Sequence, residues 1–140
     1  MTTFKNPSDA QIKQLLQDIQ HIAVVGLSPK PDRPSHEVAK ILQDFGYQII
    51  PVRPATDEVL GEQAYPDLAS VDKEIDLVDV FLNPSRLDAL VDACIECKLP
   101  AIWLQEGVVN EAAALRAQEA GILVIMDRCI YKEHDRLIGS

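Results

Sequence analysis

A chain of 140 residues, 47% of them hydrophobic, carries apolar surface for one core, read here as a single domain over residues 1–140. Its net charge of -9 argues against DNA, RNA or an anionic membrane as partner, since these bind through clustered Lys and Arg, and no apolar run approaches the ~20 residues of a bilayer-spanning helix. The N-terminus "MTTFKNPSDAQIKQLLQ" lacks the basic start and apolar core of a secretory signal, so the expected setting is the cytoplasm.

In chain order, Ser8 is a good N-cap for "DAQIKQLLQDIQ", where Ile12, Leu15, Leu16 and Ile19 keep helical spacing and predict a helix over about 8–20. "HIAVVG" is a short apolar run ending in glycine, the pattern of a buried parallel strand. The next helix starts near Pro34 or Ser35, buries Val38, Ile41, Leu42 and Phe45, and stops at Gly46. "YQIIPVRP" is the second strand. The polar stretch "TDEVLGEQAYPDLASVDKE" has room for one short helix around 66–71. "IDLVDVFLNP" is the third strand, followed by a helix from Ser85 to about Lys98. "AIWLQEG" is the fourth, followed by a helix from Asn110 to Ala120 that Gly121 ends, and "ILVIMD" is the fifth.

Strands alternating with helices predict an α/β fold, a doubly wound, Rossmann-like parallel sheet of five strands with helices on both faces and the order 3-2-1-4-5. Ligands of such sheets bind outside the carboxyl ends of the strands. The segments to inspect are therefore "GLSPKPDRPS", "VRPATDE", "FLNPSR" and "QEGVVN".

The first of these departs from the dinucleotide fingerprint, which has three glycines where this chain keeps Gly26 alone. Gly26 allows close approach to a ligand, the following helix offers N–H groups to a phosphate, Ser28 and Ser35 add hydroxyls, and Arg33 adds a planar fork. In the competing reading Ser35 only caps the helix and Arg33 is solvated. An NAD site closes its second strand with Asp or Glu for the ribose hydroxyls; here that strand ends Pro51-Val52-Arg53-Pro54. A guanidinium suits a nucleotide with an extra ribose phosphate, either NADP or coenzyme A.

The motifs "VVGLSPKPDRPS", "GYQIIPVRP", "LGEQAYPDL", "DLVDVFLNP", "AIWLQEGVVNEAA" and "AGILVIMDRC", in that order, closely resemble the small stand-alone bacterial CoA-binding proteins. These are similar in fold to the N-terminal domain of the succinyl-CoA synthetase alpha subunit. The resemblance covers nearly residues 10–135 and implies a Rossmann-like domain for coenzyme A or an acyl-CoA. It implies that Gly26, Leu27, Ser28, Pro29, Arg33 and Ser35 line the phosphates and that Val52, Arg53 and Pro54 lie by the adenosine. It also implies that Phe81, Leu82 and Asn83 flank the ligand and that Gln105, Glu106 and Gly107 border the pantetheine path. Where that family commonly reads "PVNPK", this chain has Arg53 at the asparagine and Ala55 at the lysine, so a lysine that could reach a phosphate is missing and Arg53 is expected to substitute for it.

The larger synthetases add an active-site histidine and a nucleotide-grasp domain to this fold. The expectation here is binding without turnover, against two alternatives: an NADP-dependent oxidoreductase, and a subunit that works only with a partner acyl-CoA enzyme. Glu106 is the best lone acid–base candidate, although a loop carboxylate is ordinarily just solvated. "CIEC" has redox spacing but falls late in a helix, so Cys94 and Cys97 read as structural thiols; Cys129 reads as a buried thiol at a strand end, with a disulfide to the coenzyme thiol as the sharper alternative. Trp103 reads as core. His21, His36 and His134 are isolated, and no metal site is expected.

Overall fold

The computed structural model describes residues 3–139. Ser8 opens α1 (Asp9–Asp18) with a capping box: its Oγ accepts from the Gln11 N–H, and the Gln11 side chain accepts from the Ser8 N–H. There follow β1 (His21–Val25), α2 (Pro34–Asp44), β2 (Gln48–Val52) and a small antiparallel hairpin, β3 (Glu58–Val59) with β4 (Glu62–Gln63). The chain continues through a 3-10 turn (Leu68–Ser70), β5 (Leu77–Val80), α3 (Leu87–Glu96), β6 (Ala101–Leu104), α4 (Glu111–Glu119), β7 (Leu123–Met126) and α5 (Ile130–Leu137). Asn110 caps α4 through its side chain, which accepts from the Ala113 N–H.

The five-stranded sheet runs β2-β1-β5-β6-β7, and every pairing in it is parallel. The doubly wound α/β class is as expected from the alternation of elements. The strand "LVDV" takes a different place from the one expected: it lies beside β1, with Ile22 opposite Leu77 and Val25 opposite Val80, rather than outside β2. What lies outside β2 is the rudiment of a further strand, a one-residue parallel bridge from Val52 to Tyr65, held by the Arg53 N–H to Tyr65 O and the Tyr65 N–H to Pro51 O. Counted as a strand, that rudiment restores a 3-2-1-4-5 succession from the β2 edge. Its brevity has a local cause, since Pro54, Gly61 and Pro66 punctuate the segment and a proline has no N–H for a ladder.

Period-2 alternation splits the core. Ala23, Val25, Val78, Val80, Ile102 and Leu104 join the cluster under α3 and α4; Ile22, Val24, Leu77, Ala101 and Trp103 join the one under α1, α2 and α5. Trp103 is fully buried and its indole N–H donates to Arg128 O. Asp79 is also fully buried, a lone carboxylate in an otherwise apolar strand.

Two features depart from the sequence reading. The inner face of α2 is Val38, Ala39 and Leu42, whereas Ile41 is half-buried and Phe45 is 38% exposed, its ring stacked on His134 of α5 at 4.0 Å. The helix α5 itself was not expected, because "IYKEHDRL" is short and mostly polar, with Ile130, Tyr131 and Leu137 its only apolar residues. It joins α1 through Ile130, buried in the same cluster as Ile12 and Leu16, and through the Arg136 guanidinium, which donates to both Asp9 oxygens at 3.0 and 2.8 Å and, within α5, to Glu133 at 2.5 Å.

Candidate ligand groove

The chain leaves β1 for β2 on one side and later returns to β5 on the other, so the loops after β1 and β5 diverge and open a crevice at the carboxyl edge. Three cavities lie along it. The first, about 570 Å³, is bordered by Val52, Pro54 and Asn83 together with Leu68, Leu90 and Arg86. The second, about 550 Å³, is bordered by Ser28, Pro29, Lys30, Arg33 and Ser35. The third, about 240 Å³, is bordered by Gln105, Glu106, Cys129 and Lys132. Gly26, Arg53, Phe81 and Leu82 are common to the first two, and Pro34, Phe81 and Val108 to the last two. The three therefore form one groove with the cationic cavity in the middle.

The middle cavity has three cations, Lys30, Arg33 and Arg53, and no carboxylate on its wall. Among the described residues none of the three is paired with an acid. In a protein of net charge -9 this is a local reversal of sign. Arg33 is the N-cap of α2 and makes no side-chain cap bond, which leaves its guanidinium free; Pro34, at N1, has no N–H to satisfy. Ser35 is inside the first turn of α2 and is not its cap: its Oγ accepts from the Ser28 N–H at 3.0 Å, and Ser28 Oγ accepts from the Lys30 N–H at 3.1 Å. Both serines are buried and shape the loop, and each hydroxyl proton stays available to a ligand oxygen.

Gly26 has a reason to be glycine beyond the approach of a ligand. Its φ is +85°, and a Cβ there would lie 2.3 Å from the Phe81 carbonyl oxygen, while its N–H continues the β-ladder to Val52 O at 3.0 Å. The close contact is with the fold's own backbone.

Of the residues expected at the site, Gly26, Ser28, Pro29, Arg33, Ser35, Val52, Arg53, Pro54, Phe81, Leu82, Asn83, Gln105 and Glu106 border the groove. Leu27 does not, being fully buried in the core beneath α2. Gly107 does not border it either; its N–H donates to Asp127 at 2.8 Å and shapes the turn after β6. Glu106 is engaged by Lys132 at 3.1 Å, which raises the lysine pKa, first through that bond and then through its charge.

Two residues at or next to the groove were not anticipated. Arg86, at the end of the 3-10 turn Pro84–Arg86, adds a cation to the first cavity. Asp79 accepts a hydrogen bond from Gln105 Nε2, and its Oδ2 has no partner. Burial pushes its pKa up to about 7, against the opposing pull of the Gln105 amide and the Val80 N–H. An acid inside the apolar run "DLVDVF" was the signal for it.

Cys94 and Cys97 lie one turn apart at the end of α3, and Cys129 lies after β7 at the carboxyl edge. Cys94 is buried in the core, with its thiol pushed up to about 12 by burial and by Cys97; Cys129 borders the third cavity, and burial raises its pKa too. Among the described residues no cluster of side chains could hold a metal ion, and no helix is long and apolar enough to cross a membrane.

A family model described as "CoA binding domain" matches residues 20–135. The chain belongs to that family. It is similar to the uncharacterized protein YneT of Bacillus subtilis, 48% identical over 130 residues that cover 93% of this chain and 96% of that one. Among solved structures it resembles a hypothetical protein from Pyrococcus horikoshii, with a TM-score of 0.91 and 34% identity over 99% of this chain and all of that one. A dinucleotide forming acetyl-coenzyme A synthetase of Ca. Korarchaeum cryptofilum shares the fold over 80% of this chain and 27% of its own, with a TM-score of 0.70 at 20% identity.

Proposed function

We propose that the protein binds coenzyme A, or an acyl-CoA, along this groove and performs no reaction on it. The observation that carries the reading is the middle cavity, with three unpaired cations and two serine hydroxyls and no carboxylate, in an acidic member of the CoA-binding-domain family. Phosphates would lie there, against Lys30, Arg33 and Arg53 and the Ser35 N–H at the start of α2. The adenosine would take the more apolar first cavity, beside Val52, Pro54 and Leu90, with Asn83 and Arg86 at its edge. The pantetheine arm would pass Phe81 into the third cavity, past Gln105 and Glu106. Absence of turnover is supported by Glu106, the best acid–base candidate, being tied to Lys132.

Native mass spectrometry of freshly purified protein, followed by calorimetry with CoA, NADP and NAD, tests the reading. A retained mass of CoA or an acyl-CoA, and CoA bound with NAD excluded, is the expected result. Preference for NADP would replace the reading by the oxidoreductase, for which Arg53 is equally suited. Co-purification with an acyl-CoA enzyme would favour the partner-dependent subunit.

A further inference from the structure

Asp79 is a costly polar group: it is fully buried, with one oxygen bonded to Gln105 and the other without a partner. Its strand neighbours across the sheet are Val24 on β1 and Trp103 on β6, and among the described residues it is part of no ion pair. An apolar residue would suit that face of β5 better, as Leu77 does two positions earlier. What the carboxylate does there is hold one side chain, Gln105, which is itself 4% exposed and borders the third cavity.

The order of the groove decides what Gln105 can meet. The cationic middle cavity is the place for phosphates and adjoins a cavity on either side, and the larger, more apolar first cavity suits a nucleoside. The third cavity is left for whatever extends beyond the phosphates, and in coenzyme A that is an arm with two amides and a thiol. An amide meets such an arm by hydrogen bonds, provided its own plane is fixed beforehand; a freely rotating glutamine loses entropy on binding that an anchored one does not.

We propose that Asp79 is a positioning residue: by accepting from Gln105 Nε2 it fixes the Gln105 amide on the wall of the third cavity, where that amide meets the pantetheine arm. This inference rests on the coenzyme A reading above. Asp79 touches no ligand, and its effect travels through Gln105 alone.

The test compares two probes, coenzyme A and 3′-phosphoadenosine 5′-diphosphate, which keeps the nucleotide and phosphates and lacks the arm. Asp79→Leu removes the acceptor while suiting the apolar surroundings, Gln105→Leu removes the amide, and Asp79→Asn keeps an acceptor oxygen at the same place. Circular dichroism checks folding, and Asp79→Val, which suits a strand, takes over should the leucine not be accommodated. Asp79→Leu and Gln105→Leu are each expected to weaken coenzyme A by roughly tenfold, as for loss of one good hydrogen bond, and to leave the truncated probe within about twofold. The double variant should be no worse than either single one, since the two act as a unit, and Asp79→Asn should restore affinity to within about threefold of wild type. Equal losses for both probes, no loss for either, or additive losses in the double variant would overturn the positioning role while leaving coenzyme A binding intact. Wild-type protein that binds neither probe would overturn both readings.

Discussion

Two cavities of nearly equal volume lie at opposite edges of the sheet, and their charge sets them apart. The middle cavity of the carboxyl edge, about 550 Å³, has three cations and no acid; the amino-edge cavity, about 560 Å³, has Lys73 and Lys98 balanced by Glu74 and Asp76. Size does not distinguish them. Charge that has been left uncompensated does, because a fold that only needed to be stable would pair or disperse it. The same contrast recurs within β5 and at its threshold, where Asp76 accepts from the N–H groups of Gln20 and His21, each at 2.9 Å, while Asp79 has one side-chain donor, the Gln105 amide, and an orphaned oxygen.

The largest effect that follows concerns Asp79 and stability. Its folded pKa of about 7 is far above the ordinary 3.8, so the folded state holds a proton that the unfolded chain has released. The associated stability is fully present below the unfolded value and is lost as pH rises through about 7, on the order of 4 kcal/mol in all. Asp79→Asn should therefore be more stable than wild type at about pH 8, and the advantage should shrink as pH falls towards 4. Urea unfolding across that range measures it. An unchanged difference between variant and wild type would mean that Asp79 ionises as easily as an exposed acid.

A second contrast sets Gly26 of the carboxyl edge against Gly121 of the amino edge. Both have positive φ, +85° and +89°, but a Cβ at Gly121 would meet nothing within 4 Å, whereas at Gly26 it would meet Phe81 O at 2.3 Å. Gly121→Ala should cost about 1 kcal/mol, for backbone strain alone, and Gly26→Ala about 3 kcal/mol, since β1 and the end of β5 must also separate. Equal costs in denaturant unfolding would show that the loop yields easily and that Gly26 is kept for the ligand.

These contrasts also show what the sequence could reveal. Arg33 in the loop after β1 and Arg53 at the end of β2 were legible because parallel strands with short loops bring their carboxyl ends to one edge whichever order they take. The position of β5 was not, because it depends on what residues 53–76 become, and there a hairpin and a one-residue bridge stand where a full strand was equally admissible. Caps such as Ser8 and Asn110 were legible since they act within a few residues. The helix α5 was not, as its packing depends on Arg136 meeting Asp9 from 127 positions away. Leu27 was assigned to the ligand from its place inside a binding motif, but its side chain turns into the core, a matter of loop conformation that motif spacing does not specify.

The arginines sharpen the comparison of the two edges by affinity. A charge-assisted hydrogen bond contributes about 1.5–3 kcal/mol, and ~1.4 kcal/mol is tenfold, so Arg33→Ala and Arg53→Ala should each weaken CoA by roughly tenfold or more. Lys73→Ala and Lys98→Ala at the amino edge should change it by less than about twofold. Dephospho-CoA, lacking the ribose phosphate, separates the first two: loss with CoA alone is expected for Arg53, and loss with both ligands for Arg33. Arg86, which shares the first cavity with Arg53, is the alternative ribose-phosphate partner and would take over the CoA-only pattern if Arg53 is merely solvated. Threefold or smaller changes at all three positions would leave the phosphates to Lys30, backbone N–H groups and the serines.

The smallest effect is expected at Asp76, and it has the opposite sign to that of Asp79. Burial pushes the Asp76 pKa up, but the N–H groups of His21 and Gln20, with the His21 ring 3.6 Å away, outweigh it and leave the pKa below the ordinary 3.8. A depressed folded pKa contributes stability that is present above the unfolded value and is lost as pH falls through the folded one. Asp76→Asn should thus be less stable than wild type at neutral pH and converge with it only in acid, below the range where Asp79 titrates. Because Asp76 lies at the amino edge, CoA affinity should not change. Stability curves for the two variants that run parallel in pH would show that the carboxylates share one environment, and the distinction between a satisfied edge and an unsatisfied one would then fail on the strand that links them.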